Sequence, residues 1–264
     1  SPSDLDLLKF PADAKERFAI QIMNPINIDL SLMRTTLAAS MLNAISRNEK
    51  QGILDGRLFE VANIFIPKNL PLTEYVGTFG AKESFYTMKG IANGIADSLD
   101  VAFTYEPIQK SFLHPYQAVK VLCEGTEIGY FGKAAYDIQN ELSMRTSAYI
   151  MELDLKELSR WYGKKRTFQP ISKFQEEKRD LAFVMDKNIS CGDVENCIRE
   201  ANKYVKEIRL FDVYEGGQIP EGKKSMAFTL SLSDPKKEVS AEEVERVVKK
   251  ILGNLKFKLG IEIR

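Results

Sequence analysis

The stretch RLFDVYEGG at 209–217 puts a carboxylate inside a run that otherwise favours a β-strand. Leu210, Phe211, Val213 and Tyr214 suit a strand, whereas aspartate is depleted from strands and is costly to bury without a partner. Asp212 therefore belongs on a surface that faces water or a ligand. A carboxylate accepts two hydrogen bonds side by side. The Watson–Crick edge of guanine offers two adjacent donors, N1–H and N2–H. An aspartate with a tyrosine two residues further along a strand has the chemistry of a base reader, Asp212 selecting guanine while Tyr214 stacks. The alternative is a solvated face that carries one aspartate and one tyrosine.

Other reactive residues exclude more than they suggest. His114 is the only histidine, which rules out any site built on two. Cys123, Cys191 and Cys197 lack the CxxC spacing of a zinc or redox site, so reduced thiols are expected rather than a disulfide framework. Cys191 and Cys197 straddle a helix start and suit a core role. The run GTFGAKES at 77–84 does not match a P-loop. The mixed charges of EEKRD at 176–180 suit a solvated strand rather than a catalytic dyad.

Lys and Arg balance Asp and Glu at 37 each, so a sequence-blind polyanion binder is excluded and any nucleic-acid contact must be local and selective. Residues 170–264 carry 18 Lys and Arg against 17 Asp and Glu, a net of +1, which permits specific binding without driving it. No run of apolar residues is long enough to span a membrane and no secretory segment is evident, so a cytoplasmic protein is expected.

The elements that must position these residues follow from periodicity. A helix is expected around Leu37, Met41, Leu42 and Ile45, with Asp29 or Ser31 as its cap. A strand is expected over 57–67 and a second helix over 85–99, which Gly90 and Gly94 weaken. Strand-like runs follow at 101–108 and 118–132, the latter folded at Gly125, then a short helix over 133–142 and a strand over 148–155. Helices alternating with antiparallel hairpins argue an α+β fold rather than a parallel doubly wound sheet. The basic, aperiodic stretch 162–170 breaks the pattern, and the expected division is a first domain over 1–163, a linker over 164–170 and a second domain over 171–264.

The second domain has the order βαββαβ of a ferredoxin-like unit. Its strands are expected over 178–186, 205–216, 223–234 and 260–264. Ser190 with Asp193, and Ser240 with Glu243, form capping boxes for its two helices. Alternation assigns the faces. Met226, Phe228, Leu230 and Leu232 turn toward the helices, with Phe183 and Met185 beside them. On the middle strand, Phe211 and Val213 form the set expected to turn inward, leaving Leu210, Asp212 and Tyr214 as the other. Asp212, Tyr214, Ser225 and Ala182 are expected on the helix-free face.

The segments PISKFQEEKRDLAFVMD, LFDVYEGGQIPEGKKSMAFTLSLSDP and KLGIEIR closely resemble the ferredoxin-fold anticodon-binding domain of bacterial phenylalanyl-tRNA synthetase beta subunits. Upstream, NPINIDLSLMRTTLAASMLNAISRN, RLFEVANIFIP, YTMKGIANGIADSL, HPYQAVKVL and GTEIGYFG resemble the same family's class II synthetase catalytic-like module. The likeness runs in the family's order over nearly the whole chain. It implies a C-terminal fragment of that subunit, with a class II synthetase-like antiparallel sheet followed by a ferredoxin-like domain. In this family an α2β2 heterotetramer attaches phenylalanine to its tRNA with ATP and magnesium, and catalysis lies in the alpha subunit. The fragment is then expected to hold no cofactor or metal of its own. Its expected partners are the alpha subunit and phenylalanine tRNA, whose anticodon begins with guanine. The resemblance assigns Asp212, Tyr214 and Ser225 to that base, with Ala182 completing the pocket.

The resemblance also implies an inactive first module that builds subunit interfaces. GRLFEV echoes a class II motif 2 strand through Arg57 and Glu60, but their spacing is R-x-x-E rather than R-x-E, and no G-x-G-x-x-R motif occurs in residues 1–165. Two other readings stand beside this one: a stand-alone RNA-binding or regulatory module on a ferredoxin-like fold, and an enzyme with its own adenylating site in residues 1–165, against which the motif loss argues.

Overall fold

The computed structural model describes residues 1–66, 72–163 and 173–263 and divides the chain into two compact units, Ser1–Arg166 and Thr167–Arg264. The stretch 164–170, expected as a linker, lies outside the described residues.

In the first unit, α1 (Pro2–Leu7) precedes α2 (Ala38–Lys50). Then come β1 (Gly56–Asn63), β2 (Leu72–Phe79), α3 (Phe85–Leu99), β3 (Phe103–Pro107), β4 (Leu113–Cys123), β5 (Thr126–Ala134), α4 (Tyr136–Glu141), β6 (Ala148–Asp154) and α5 (Leu155–Leu158). The six strands form one antiparallel sheet in the order β1-β2-β6-β5-β4-β3. Alternate residues of β6 feed two cores. Ala148 and Ile150 pack with α2, and Tyr149, Met151 and Leu153 pack with Met88 and Ala92 of α3. The hairpin between β4 and β5 turns at Glu124 and Gly125, both at positive φ, which glycine adopts without strain.

Two details depart from the sequence reading. Asp29 and Ser31 do not cap α2; Ile28–Leu30 is a separate 3-10 turn capped by Asn27, and the Thr36 hydroxyl accepts from the Ala38 N–H at the helix start. The helical spacing itself holds, since Leu37, Met41, Leu42 and Ile45 are all buried. The strand β2 was not expected, because its polar residues and Gly77 hide the alternation. Gly77 is needed there, as an added Cβ would lie 2.6 Å from the Met41 side chain.

The second unit runs β7 (Glu177–Asp186), α6 (Cys191–Ala201), β8 (Val205–Tyr214), β9 (Lys223–Leu232), α7 (Ala241–Leu259) and β10 (Glu262–Ile263). Its antiparallel sheet has the order β10-β7-β9-β8, the expected ferredoxin-like arrangement. Both capping boxes form, at Ser190 with Asp193 and at Ser240 with Glu243. Phe183, Met185, Met226, Phe228, Leu230 and Leu232 form one core with Val194, Ile198, Val244, Val247 and Ile251 of the two helices. One face of the sheet is thereby consumed, and among the described residues of this unit the other carries no helix.

Candidate nucleic-acid interface

The ladder fixes which side chains share the open face, because directly paired residues point to the same side. Tyr214 pairs with Ser225, and Ser225 with Val184. The next row is Asp212, Ala227 and Ala182, followed by Arg209, Thr229 and Asp180, then Glu207, Ser231 and Lys178. The intervening rows, Val213–Met226–Phe183 and Leu210–Phe228–Leu181, turn to the helices. The four residues expected on the open face all lie there in two adjacent rows, Tyr214 with Ser225 and Asp212 with Ala182.

The set expected to accompany them is corrected by a bulge. Leu210 pairs with Phe228 while Asp212 pairs with the adjacent Ala227, so Phe211 has no partner on β9. The extra residue shifts the alternation by one. Leu210 packs against the helix-side core, and Phe211, expected inside, is 54% exposed in a groove with Arg209, Glu207, Thr229, Ser231 and Lys178. Val213 does turn to the helix side, but β8 is an edge strand and leaves it 49% exposed.

Ser225 and Ala227 form a floor of small side chains, only 6% and 9% exposed, between flanking strands. Among the described residues the Asp212 carboxylate is exposed and makes no hydrogen bond or ion pair, so both its oxygens can accept from a ligand. Asp180, another carboxylate on this face, accepts from the Thr229 hydroxyl at 2.6 Å. The Tyr214 ring lies against the chain just beyond it; an added Cβ on Gly216 would stand 1.9 Å from its hydroxyl oxygen. Beside it, Lys187 pairs with Glu215 at 2.9 Å and holds that carboxyl below its usual range. The resulting surface is an aromatic ring and an unpaired carboxylate over a flat floor, which can hold one base by stacking and read its edge.

Other residues singled out in the sequence form no comparable site. Arg57 is exposed and forks onto Glu83 at 3.0 Å, while Glu60 points to the other side of β1 and pairs with Arg34 at 2.6 Å. The R-x-x-E spacing thus sends the two to opposite faces, and they do not fit one nucleotide phosphate. The His114 Nδ1 accepts from the Tyr116 N–H, and its ring packs edge-on against Tyr136 at 5.3 Å, a structural arrangement. A cleft of about 270 Å³ in the first unit is lined in part by Thr36, Lys110, Phe112, Tyr130 and Glu152. One oxygen of Glu152 accepts from the Tyr130 hydroxyl at 2.6 Å and the Thr36 hydroxyl at 2.9 Å. Burial pushes this carboxyl above its usual range, and those two hydrogen bonds oppose the shift. The cluster ties the start of α2 to β5 and β6.

Residues 1–155 match the family described as the phenylalanyl tRNA synthetase beta chain CLM domain, and residues 172–264 match the ferredoxin-fold anticodon binding domain. Among curated proteins, the chain is similar to the phenylalanine–tRNA ligase beta subunit of Clostridium tetani, with 33% identity over 100% of this chain and 34% of the relative. The same subunit from Geobacillus kaustophilus is 30% identical over 96% of this chain and 34% of the relative. That of Bacillus subtilis is 32% identical over 86% and 31%. The chain spans about a third of the length of the curated relatives it matches.

Proposed function

The chain belongs to the phenylalanyl-tRNA synthetase beta-chain family, and on that footing we propose that it serves the attachment of phenylalanine to tRNA by reading the anticodon and supporting subunit assembly, not by catalysis. The observation that carries the reading is the unpaired Asp212 carboxylate beside the Tyr214 ring, on a helix-free sheet face floored by Ser225, Ala227 and Ala182. Guanine at the first anticodon position stacks on Tyr214 and gives its N1–H and N2–H to Asp212. Ser225 and Ala182 keep the floor small enough for the base to approach.

The first unit supports the assembly role by what it exposes. Met23 and Ile26 are 91% and 92% exposed, and Ile28, Leu30, Phe59 and Val61 are exposed as well. Apolar surface on this scale marks a protein interface, here with the alpha subunit in an α2β2 enzyme. ATP and magnesium serve the complete enzyme, and no step is assigned to them in this chain. No helix of the described residues is long and apolar enough to cross a membrane, and a cytoplasmic site of action is proposed.

Binding titrations with anticodon stem-loops test the reading. Asp212→Ala is expected to lose about 1–3 kcal/mol of preference for guanine over adenine at the first anticodon position. Equal discrimination by the variant and the unaltered chain would overturn the assignment.

A further inference from the structure

The bulge in β8 has put more than one aromatic ring on the open face. Beyond Asp212, the edge strand presents Phe211 and then Arg209, beside a groove of about 280 Å³ lined by Lys178, Glu207, Arg209, Phe211, Thr229 and Ser231. Phe211 is unpaired in the ladder and 54% exposed, which leaves its ring free of the core. Thr229 lies two residues along β9 from Ala227, so the groove begins about 7 Å from the Asp212 row. Arg209 and Lys178 flank the groove and form no ion pair among the described residues, and Thr229 and Ser231 give it a small polar floor. Asp180 is drawn to Thr229 by its hydrogen bond.

We propose that this groove is a second nucleotide subsite, in which Phe211 stacks the base flanking the one read by Asp212 while Arg209 and Lys178 hold the phosphate between them. The proposal rests on the anticodon reading above and extends it. Its chemistry differs from that at Asp212. A phenylalanine ring has no donor or acceptor with which to select a base, so the subsite accepts any of the four bases through its π-face. Selection belongs to the carboxylate, and length of grip belongs to Phe211. Continuity with the Asp212 row and the two free cations favour RNA over an apolar protein partner as the occupant.

The test is fluorescence titration of the 264-residue chain with an anticodon stem-loop carrying guanine at the first position. Phe211→Ala is expected to weaken binding about tenfold, the usual scale for one lost base–aromatic stack. The loss should be the same for every base at the flanking position, with guanine preference at the first position unchanged. Phe211→Tyr should bind as the unaltered chain does. An abasic nucleotide at one of the two flanking positions should weaken the unaltered chain similarly and Phe211→Ala no further, the signature of two groups that interact directly. Arg209→Ala and Lys178→Ala should each lower the salt dependence by about one counterion.

Phe211→Ala that binds as the unaltered chain does, or whose loss adds fully to that of the abasic substitutions, overturns the subsite. So does a Phe211→Ala effect confined to self-association or alpha-subunit capture, measured by sedimentation, which would make the groove a protein contact. If Asp212→Ala keeps full guanine discrimination while Phe211 and the flanking base remain coupled, the anticodon assignment fails and the subsite stands. If the unaltered chain binds no stem-loop, both fall.

Discussion

Tyr214 depends on a residue that carries no side chain. Its ring occupies the space a Cβ on Gly216 would need, with the hydroxyl oxygen 1.9 Å from that position and a ring carbon 2.1 Å away. The obstacle is the far end of a rotatable side chain, so Gly216→Ala should leave the fold intact and swing the ring off its place. Stem-loop affinity should then fall by up to the 1–3 kcal/mol of one stacked base. Guanine discrimination, which the proposed function assigns to Asp212, should persist. A titration that shows unchanged affinity with an unchanged melting temperature would mean the ring position is irrelevant to binding. The place of Asp212 and Tyr214 on the open face was legible in the sequence because a carboxylate in an apolar strand is anomalous wherever it occurs. Gly216 was not, since its role comes from where Tyr214 folds back over the chain, and nothing in local pattern records that.

At the scale of elements, the bulge in β8 makes the site. A regular strand would force Phe211 to the face opposite Asp212, and the simple alternation of the sequence predicts that arrangement. One extra residue is invisible to a period-two reading, so the faces of Leu210 and Phe211 were exchanged, whereas those of Asp212 and Tyr214 beyond the bulge were not. The capping boxes and the 3.6-residue periodicity of α6 and α7 were legible because each is a local pattern of types at fixed spacing. The cap of α2 was misplaced for a related reason: Asp29, Ser31 and Thr36 are all plausible caps, and only tertiary packing selects among them. The bulge yields a sharp expectation. Deleting Phe211 would make Leu210 and Asp212 consecutive, with Leu210 still opposite Phe228 and Asp212 still opposite Ala227. The shortened strand should therefore close into a regular ladder from Glu207 to Tyr214 with its core register intact. The variant should fold with little change in melting temperature, keep guanine preference, and bind about as weakly as Phe211→Ala. Loss of guanine preference in a folded deletion variant would show that the bulge also aims Asp212.

At the scale of the whole molecule, each buried apolar cluster of the described residues is built from one of the two units. Their stabilities should respond separately to a change confined to one of them, and Glu152 offers such a change. Its carboxyl is raised mainly by burial, with the Tyr130 and Thr36 hydroxyls and the Lys110 charge acting against the shift and Glu16 adding to it. A folded carboxyl raised above its unfolded value binds the proton more tightly in the fold. Stability is then undiminished below the ordinary carboxylate range, about pH 4, and falls as pH rises from there to the raised folded value. Glu152→Gln stays neutral and keeps an oxygen for the Tyr130 and Thr36 hydroxyls. It should raise the unfolding temperature of the first unit at neutral pH, and the gain should vanish below about pH 4. Calorimetry across that range should find the transition of the second unit unmoved, together with its affinity for the stem-loop. A gain that persists at low pH would mean that packing, not the cost of a buried charge, limits this part of the first unit. A shift of both transitions together would mean that the units unfold as one, which would tie anticodon reading to the stability of the module that supports assembly.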